Sequence, residues 1–77
     1  MRRHLERFTM SKFRALPDKI TLEELKGEFG EYIVRNWKYK YELPMTREED
    51  GRLYAYKDDL ILWALVMNRC VYDEDKI

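Results

Sequence analysis

The chain has 77 residues with 15 Lys and Arg against 15 Asp and Glu, so it makes one small domain whose overall charge gives no signal for nucleic acid, membrane or acidic substrates. Its only cysteine, Cys70, excludes a disulfide framework and a cysteine-based metal site, fits a reducing cytoplasm, and reads as a buried small apolar residue. The longest apolar run, residues 60–67, is far too short to span a bilayer, and residues 1–16 lack the apolar segment of a signal peptide, which gives the expectation of a soluble cytoplasmic protein without membrane contact.

The distribution of charge is uneven. Residues 1–19 hold six basic residues (Arg2, Arg3, Arg7, Lys12, Arg14 and Lys19) against two acidic ones (Glu6 and Asp18), a local net of +4, so the remainder nets −4. Leu5, Phe8, Phe13 and Leu16 suit either a short irregular helix or an arm with anchoring aromatics, and Pro17 ends it in both cases. The basic residues form either a solvated surface or an arm that contacts phosphates.

The domain proper is read as residues 20–72. Thr21 with Glu24 three residues on forms a capping box, and Ile20 can staple to Leu25. Leu22, Leu25 and Phe29 share one face of the helix that follows. Gly30 is a natural C-cap, and residues 31–36 can form a second short helix that turns Ile33, Val34 and Trp37 inward, a helix-turn-helix arrangement.

From residue 37 to 43 apolar and charged residues alternate, placing Trp37, Tyr39, Tyr41 and Leu43 on one face of an extended strand and Lys38, Lys40 and Glu42 on the other. Pro44 suits the end of that strand, Gly51 the turn, and residues 52–57 the returning partner, a β-hairpin. A competing pattern exists. Leu25, Phe29, Ile33, Trp37 and Tyr41 are spaced by four, so a long helix is also permitted, with Thr46 to Glu49 as a capping box opening another. The hairpin is preferred because helices throughout would have to absorb Gly27, Gly30 and Gly51 at about 1 kcal/mol each relative to Ala, and because the tyrosines of the two strands favour extended structure.

Asp58 or Asp59 then stands where an N-cap would, ahead of a closing helix over residues 60–72 with Leu60, Trp63, Ala64, Met67 and Val71 in one stripe. Ile61, Leu65 and Val66 widen that stripe, so the helix is a candidate core centre and a candidate face for a second protomer. Residues 73–77 make an acidic tail. The fold class expected is therefore α+β, with an all-α helical bundle as the alternative.

Catalytic signatures are weak throughout. His4 and Ser11, each the only residue of its type, belong to no catalytic motif, and Glu23, Glu24, Asp58 and Asp59 are explained as helix-start charges opposing the macrodipole. Without a phosphate loop or a spaced Cys/His cluster, neither an enzyme nor a cofactor is expected.

The order of motifs is more telling. The run Ile20, Thr21, Leu22, Glu23, Glu24, Leu25, then Phe29 and Gly30, then Arg35, Asn36 and Trp37, then Glu42, Leu43 and Pro44, then Gly51, Arg52, Leu53 and Tyr54, and finally Asp58, Asp59, Leu60 and Trp63 resembles the small winged helix-turn-helix proteins of the phage excisionase and MerR-like group, including the terminase small-subunit DNA-binding domain. The resemblance covers about residues 20–66. It implies binding to double-stranded DNA without chemistry, to control recombination or transcription. The helix over residues 31–36 would lie in the major groove with Arg35 at a guanine edge or a phosphate. Lys38, Lys40, Arg47 and Arg52 would meet the backbone or minor groove, with Arg2, Arg3 and Arg7 trailing along the duplex. A recombinase or other partner protein and a homodimer are the further partners it implies.

Two departures stand against the family pattern. Two or more residues between the glycine and the tryptophan are missing, and Glu48, Glu49 and Asp50 at the wing tip would repel phosphate. A second function class therefore stays open, a small phage- or plasmid-type module that grips a host or partner protein through the aromatic hairpin and the last helix. Lys38, Tyr39, Lys40 and Tyr41 discriminate between the two, since exposed aromatics among cations serve nucleic acid while inward tyrosines are core.

Overall fold

Capping chemistry starts the first two helices. The computed structural model describes residues 8–71. After β1 (Phe8–Thr9), the Thr9 hydroxyl accepts from the Lys12 amide and opens α1 (Met10–Arg14). β2 (Lys19–Thr21) leads directly into α2 (Leu22–Phe29), where Thr21 Oγ1 accepts from the Glu24 amide and Glu24 Oε1 from the Thr21 amide, both at 3.0 Å. This is the expected capping box. Gly30, at φ 103° and ψ 137°, joins α2 to α3 (Glu31–Lys40) as the only residue between them.

α3 corrects the strand expected over residues 37–43. Its first turns match the short helix expected over residues 31–36, but the helix continues through Lys40, because the helical spacing of three that puts Val34 and Trp37 on one face carries both into the core. Burial of two large side chains outranks the local alternation of lysine and tyrosine. The helix ends where Glu42 takes a left-handed conformation (φ 55°) and the amides of Tyr41 and Leu43 both donate to the Trp37 carbonyl. That is the helix-ending arrangement usually built on glycine.

The hairpin exists, displaced along the chain. Its strands are β3 (Thr46–Arg47) and β4 (Leu53–Tyr56), joined through residues 48–52, where Gly51 donates to the Glu48 carbonyl and Glu48 to the Arg52 carbonyl. Gly51 has φ 84°, the left-handed position that a type I turn closed by a bulge requires. β4 is the central strand, with β2 antiparallel on one side (Ile20 opposite Ala55) and β3 antiparallel on the other (Arg47 opposite Leu53).

α4 (Lys57–Val66) follows β4 without a loop, and the Lys57 amide donates to the Asp18 carbonyl as though the ladder continued. Tyr56 is its N-cap and makes no side-chain capping bond to the helix amides, so Asp58 and Asp59 lie inside the first turn rather than at the cap. They still oppose the helix dipole there. The helix stops six residues before the expected Tyr72, because Asn68 adopts φ 60° and turns the chain so that the Arg69 amide reaches the Ala64 carbonyl. Asparagine tolerates that conformation better than most residues. β5 (Cys70–Val71) then pairs in parallel with β1.

The described residues form a small α+β domain with four helices and a three-stranded antiparallel sheet, plus the short β1–β5 pair. The all-helical alternative does not form. Trp37 is the hub of the core, with ring centroids 5.1–6.4 Å from those of Phe8, Phe13, Phe29 and Trp63. Met10, Phe13 and Leu16, from the segment read as an arm or short helix, are buried with them, as is Cys70. Trp63 Nε1 donates to the Tyr41 carbonyl at 2.7 Å and fastens α4 to the end of α3. No helix among the described residues is long and apolar enough to cross a membrane.

Candidate nucleic-acid interface

Once Val34 and Trp37 are committed inward, the helical repeat decides what α3 shows to solvent. At 100° per residue, Tyr32, Arg35, Asn36 and Tyr39 fall within an arc of about 100° opposite the buried face, with Lys38 and Lys40 flanking it on either side. Tyr32 is 73% exposed and Tyr39 77% exposed. Arg35, Lys38 and Lys40 are exposed as well. Arg35 Nη2 lies 3.4 Å from Glu31 Oε2 one turn earlier, an exposed pair worth only a few tenths of a kcal/mol. Lys38 Nζ lies 5.8 Å from the Tyr39 ring centre, and neither Lys38 nor Lys40 has an acidic partner among the described residues. The helix thus carries Arg35, Lys38 and Lys40 against the single carboxylate of Glu31.

Arg47 and Arg52 form a second group, beside the turn of the hairpin. With Thr21, Leu22, Glu23 and Leu53 they line an open cleft of about 440 Å³ between the start of α2 and β3–β4. Arg47 Nη1 donates to the Gly51 carbonyl at 2.7 Å, which holds the guanidinium against the turn. The expected site residues therefore divide into Arg35, Lys38 and Lys40 on α3 and Arg47 with Arg52 on the hairpin. Arg2, Arg3 and Arg7 lie outside the described residues.

The acidic turn has a structural role that the sequence conceals. Glu48 does not point freely into solvent: its carboxylate accepts from Tyr56 Oη at 2.5 Å and from Lys19 Nζ at 2.9 Å. Asp50 accepts from Tyr54 Oη at 2.6 Å and from the Arg52 amide at 2.9 Å. Lys19 also lies over the Tyr54 ring, 4.4 Å from its centre. The Tyr56 hydroxyl, followed by Lys19, holds the Glu48 carboxyl below its ordinary range, and the Tyr54 hydroxyl does the same for Asp50. Conversely, the bond to Glu48 raises Lys19 and Tyr56, and the bond to Asp50 raises Tyr54. These carboxylates staple the turn to β2 and β4, and Lys19 offsets the charge of Glu48. Glu49 is the one acid of the turn with no ion pair or hydrogen bond among the described residues.

The four residues meant to discriminate between nucleic acid and core split in two. Tyr39 is exposed beside Lys38, whereas Tyr41 is half-buried against the core with the Arg69 guanidinium 4.5 Å above its ring. Sequence reasoning missed Tyr32 and Tyr39 as members of the outward face, although the spacing of seven between them was available once the region was read as helix. No family model matches the chain, and no curated protein and no solved structure is significantly similar to it.

Proposed function

We propose that this domain is a small winged helix-turn-helix protein that binds double-stranded DNA, presenting α3 to the major groove and the β3–β4 hairpin as a wing. One observation carries the reading: the order α1, β2, α2, α3, β3, β4 with β4 between β2 and β3, which is the arrangement of strands and helices that a winged helix requires. The outward face of α3 supports it, since three cations there meet one carboxylate. The neutralised turn supports it further, because Glu48 is paired with Lys19 and leaves Arg47 and Arg52 to face phosphate. The protein acts without chemistry, as an excisionase- or regulator-type factor that binds and bends DNA to control recombination or transcription. A recombinase is its fitting protein partner.

The test is titration of a fluorescent mixed-sequence duplex at two salt concentrations. If Arg35, Lys38, Lys40, Arg47 and Arg52 all reach phosphates, the logarithm of affinity falls against the logarithm of salt with a slope of about −4.5, at roughly 0.9 per contact. The Arg35→Glu, Lys40→Glu double variant is expected to bind at least tenfold more weakly with its circular dichroism unchanged. Unaltered affinity excludes this surface.

A second reading is favoured by a different observation. Leu62 (63% exposed), Leu65 (36%) and Val66 (70%) form an apolar stripe on the outer face of α4, the kind of surface a protein partner or a second copy covers. On that reading the chain is a protein-interaction module. Replacing Leu62 and Val66 with serine then abolishes partner capture while duplex binding, if present, is untouched.

A further inference from the structure

We infer that Tyr32 and Tyr39 are the specificity-determining residues of the α3 surface, each laying its ring against the 5-methyl group of a thymine, at two positions about three base pairs apart. This inference rests on the DNA-binding reading and adds to it the sequence feature that is read. Among the described tyrosines, Tyr54 and Tyr56 bond carboxylates through their hydroxyls and Tyr41 packs beneath Arg69. Tyr32 and Tyr39 do neither. They have the two largest exposures among the large apolar and aromatic side chains on the surface, and neither hydroxyl has a hydrogen bond among the described residues.

Their placement is geometrically specific. Seven residues at 1.5 Å per residue separate the two rings by about 10.5 Å along the axis, and two turns of helix leave them only about 20° apart around it. Base pairs of a duplex rise by about 3.4 Å, so the two rings span roughly three steps. An α-helix fits the major groove, whose thymine methyl is the apolar mark that a ring or methyl side chain recognises.

Arg35 and Asn36 lie between the tyrosines on the same arc, where their polar ends can meet the hydrogen-bonding edges of the intervening pairs. Arg35 must leave Glu31 to do so, and an exposed pair of this kind gives way at little cost. Lys38 and Lys40 border the arc, and their positive charge draws the face toward a polyanion rather than toward an apolar partner. Both tyrosine side chains are solvent-exposed, so shortening them leaves the core intact.

The experiment selects preferred duplexes from a randomised pool with the full chain. Affinity is then measured by anisotropy with thymines replaced singly by deoxyuridine, which removes only the methyl group. The expected result is a preferred site with two thymines about three base pairs apart, each replacement weakening binding about fourfold, as the loss of one buried methyl predicts. Tyr32→Ala and Tyr39→Ala should each erase the penalty at one of the two positions while preserving the salt slope, and the corresponding Phe variants should retain it. Salt-sensitive binding with no methyl dependence overturns this inference and leaves the DNA-binding reading standing. Absence of binding to any duplex at low salt overturns both.

Discussion

Replacing Trp63 with phenylalanine tests the clamp that sets the C-terminal end of α3. The indole is nearly buried, lies 5.1 Å from Trp37 in an edge-on contact, and donates from Nε1 to the Tyr41 carbonyl, 22 residues away in sequence. Phenylalanine keeps an aromatic ring against Trp37 but removes the donor, leaving a partly buried carbonyl without its partner at a cost of about 1 kcal/mol. The two further ring carbons lost contribute about 0.8 kcal/mol each. The sum is about 2.5 kcal/mol, against a total stability of roughly 4–12 kcal/mol for a chain of this length. At about 4–8 °C per kcal/mol the midpoint should fall by roughly 10–20 °C. The assay is urea and thermal unfolding followed by far-ultraviolet circular dichroism, with Trp37→Phe as the comparison. Trp37 Nε1 has no acceptor among the described residues, so that variant loses apolar contact but no hydrogen bond, and it should be the milder of the two by about 1 kcal/mol. Equal losses, or a Trp63→Phe loss under about 0.5 kcal/mol, would refute the clamp.

Three further outcomes are expected. Glu48 and Asp50 have lowered folded-state pKa values, so the stability they contribute is present above the ordinary carboxylate range and lost as pH falls through their folded values; Lys19, Tyr54 and Tyr56 are raised, so theirs is complete below their ordinary values and lost as pH climbs through the folded ones. Urea midpoints should therefore form a plateau between about pH 5 and 10, and Glu48→Gln should blunt the fall on both sides. Gly30→Ala should destabilise by about 1–3 kcal/mol through backbone strain alone, because the added methyl meets only Ile33 Cδ1 at 3.9 Å, in ordinary contact, while φ is 103°; Gly27→Ala, in open space within α2, should stabilise by about 0.5–1 kcal/mol. Glu42→Gly should stabilise by a similar margin, since its φ of 55° suits glycine better, and no gain in thermal midpoint would contradict that account.

Where signals were local, the sequence was legible. The capping box at Thr21 and Glu24, the glycine break at residue 30, the turn at Gly51 and the strand over residues 53–56 are each encoded within a few residues, and each forms. The stretch from Trp37 to Tyr41 was not legible, because Trp37 and Tyr41 fit a helical stripe while Trp37, Tyr39 and Tyr41 fit a strand. What decides is a fact outside the window: Trp37 packs against Phe8, Phe13, Phe29 and Trp63, from both ends of the chain. The helix ends were hidden for a different reason. Glu42 and Asn68 take left-handed conformations that glycine usually signals, so both α3 and α4 stop without conventional punctuation.

The acidic turn shows how the same long-range dependence governs the candidate site. Counted along the chain, Glu48, Glu49 and Asp50 beside Arg47 and Arg52 give the hairpin a net charge of −1, unfavourable for any polyanion. Counted in space, Lys19 joins them from β2, 29 residues away, and the balance becomes zero. The remaining charges are also sorted by direction, because Tyr54 and Tyr56 hold the Asp50 and Glu48 carboxylates onto the sheet while Arg47 and Arg52 border the cleft beside α2. At a separation of a few ångströms, within one Debye length, orientation matters more than the count. A local excess of carboxylates is therefore compatible with a cationic edge where most of the acids face a hydroxyl or an ammonium, as Glu48 and Asp50 do here.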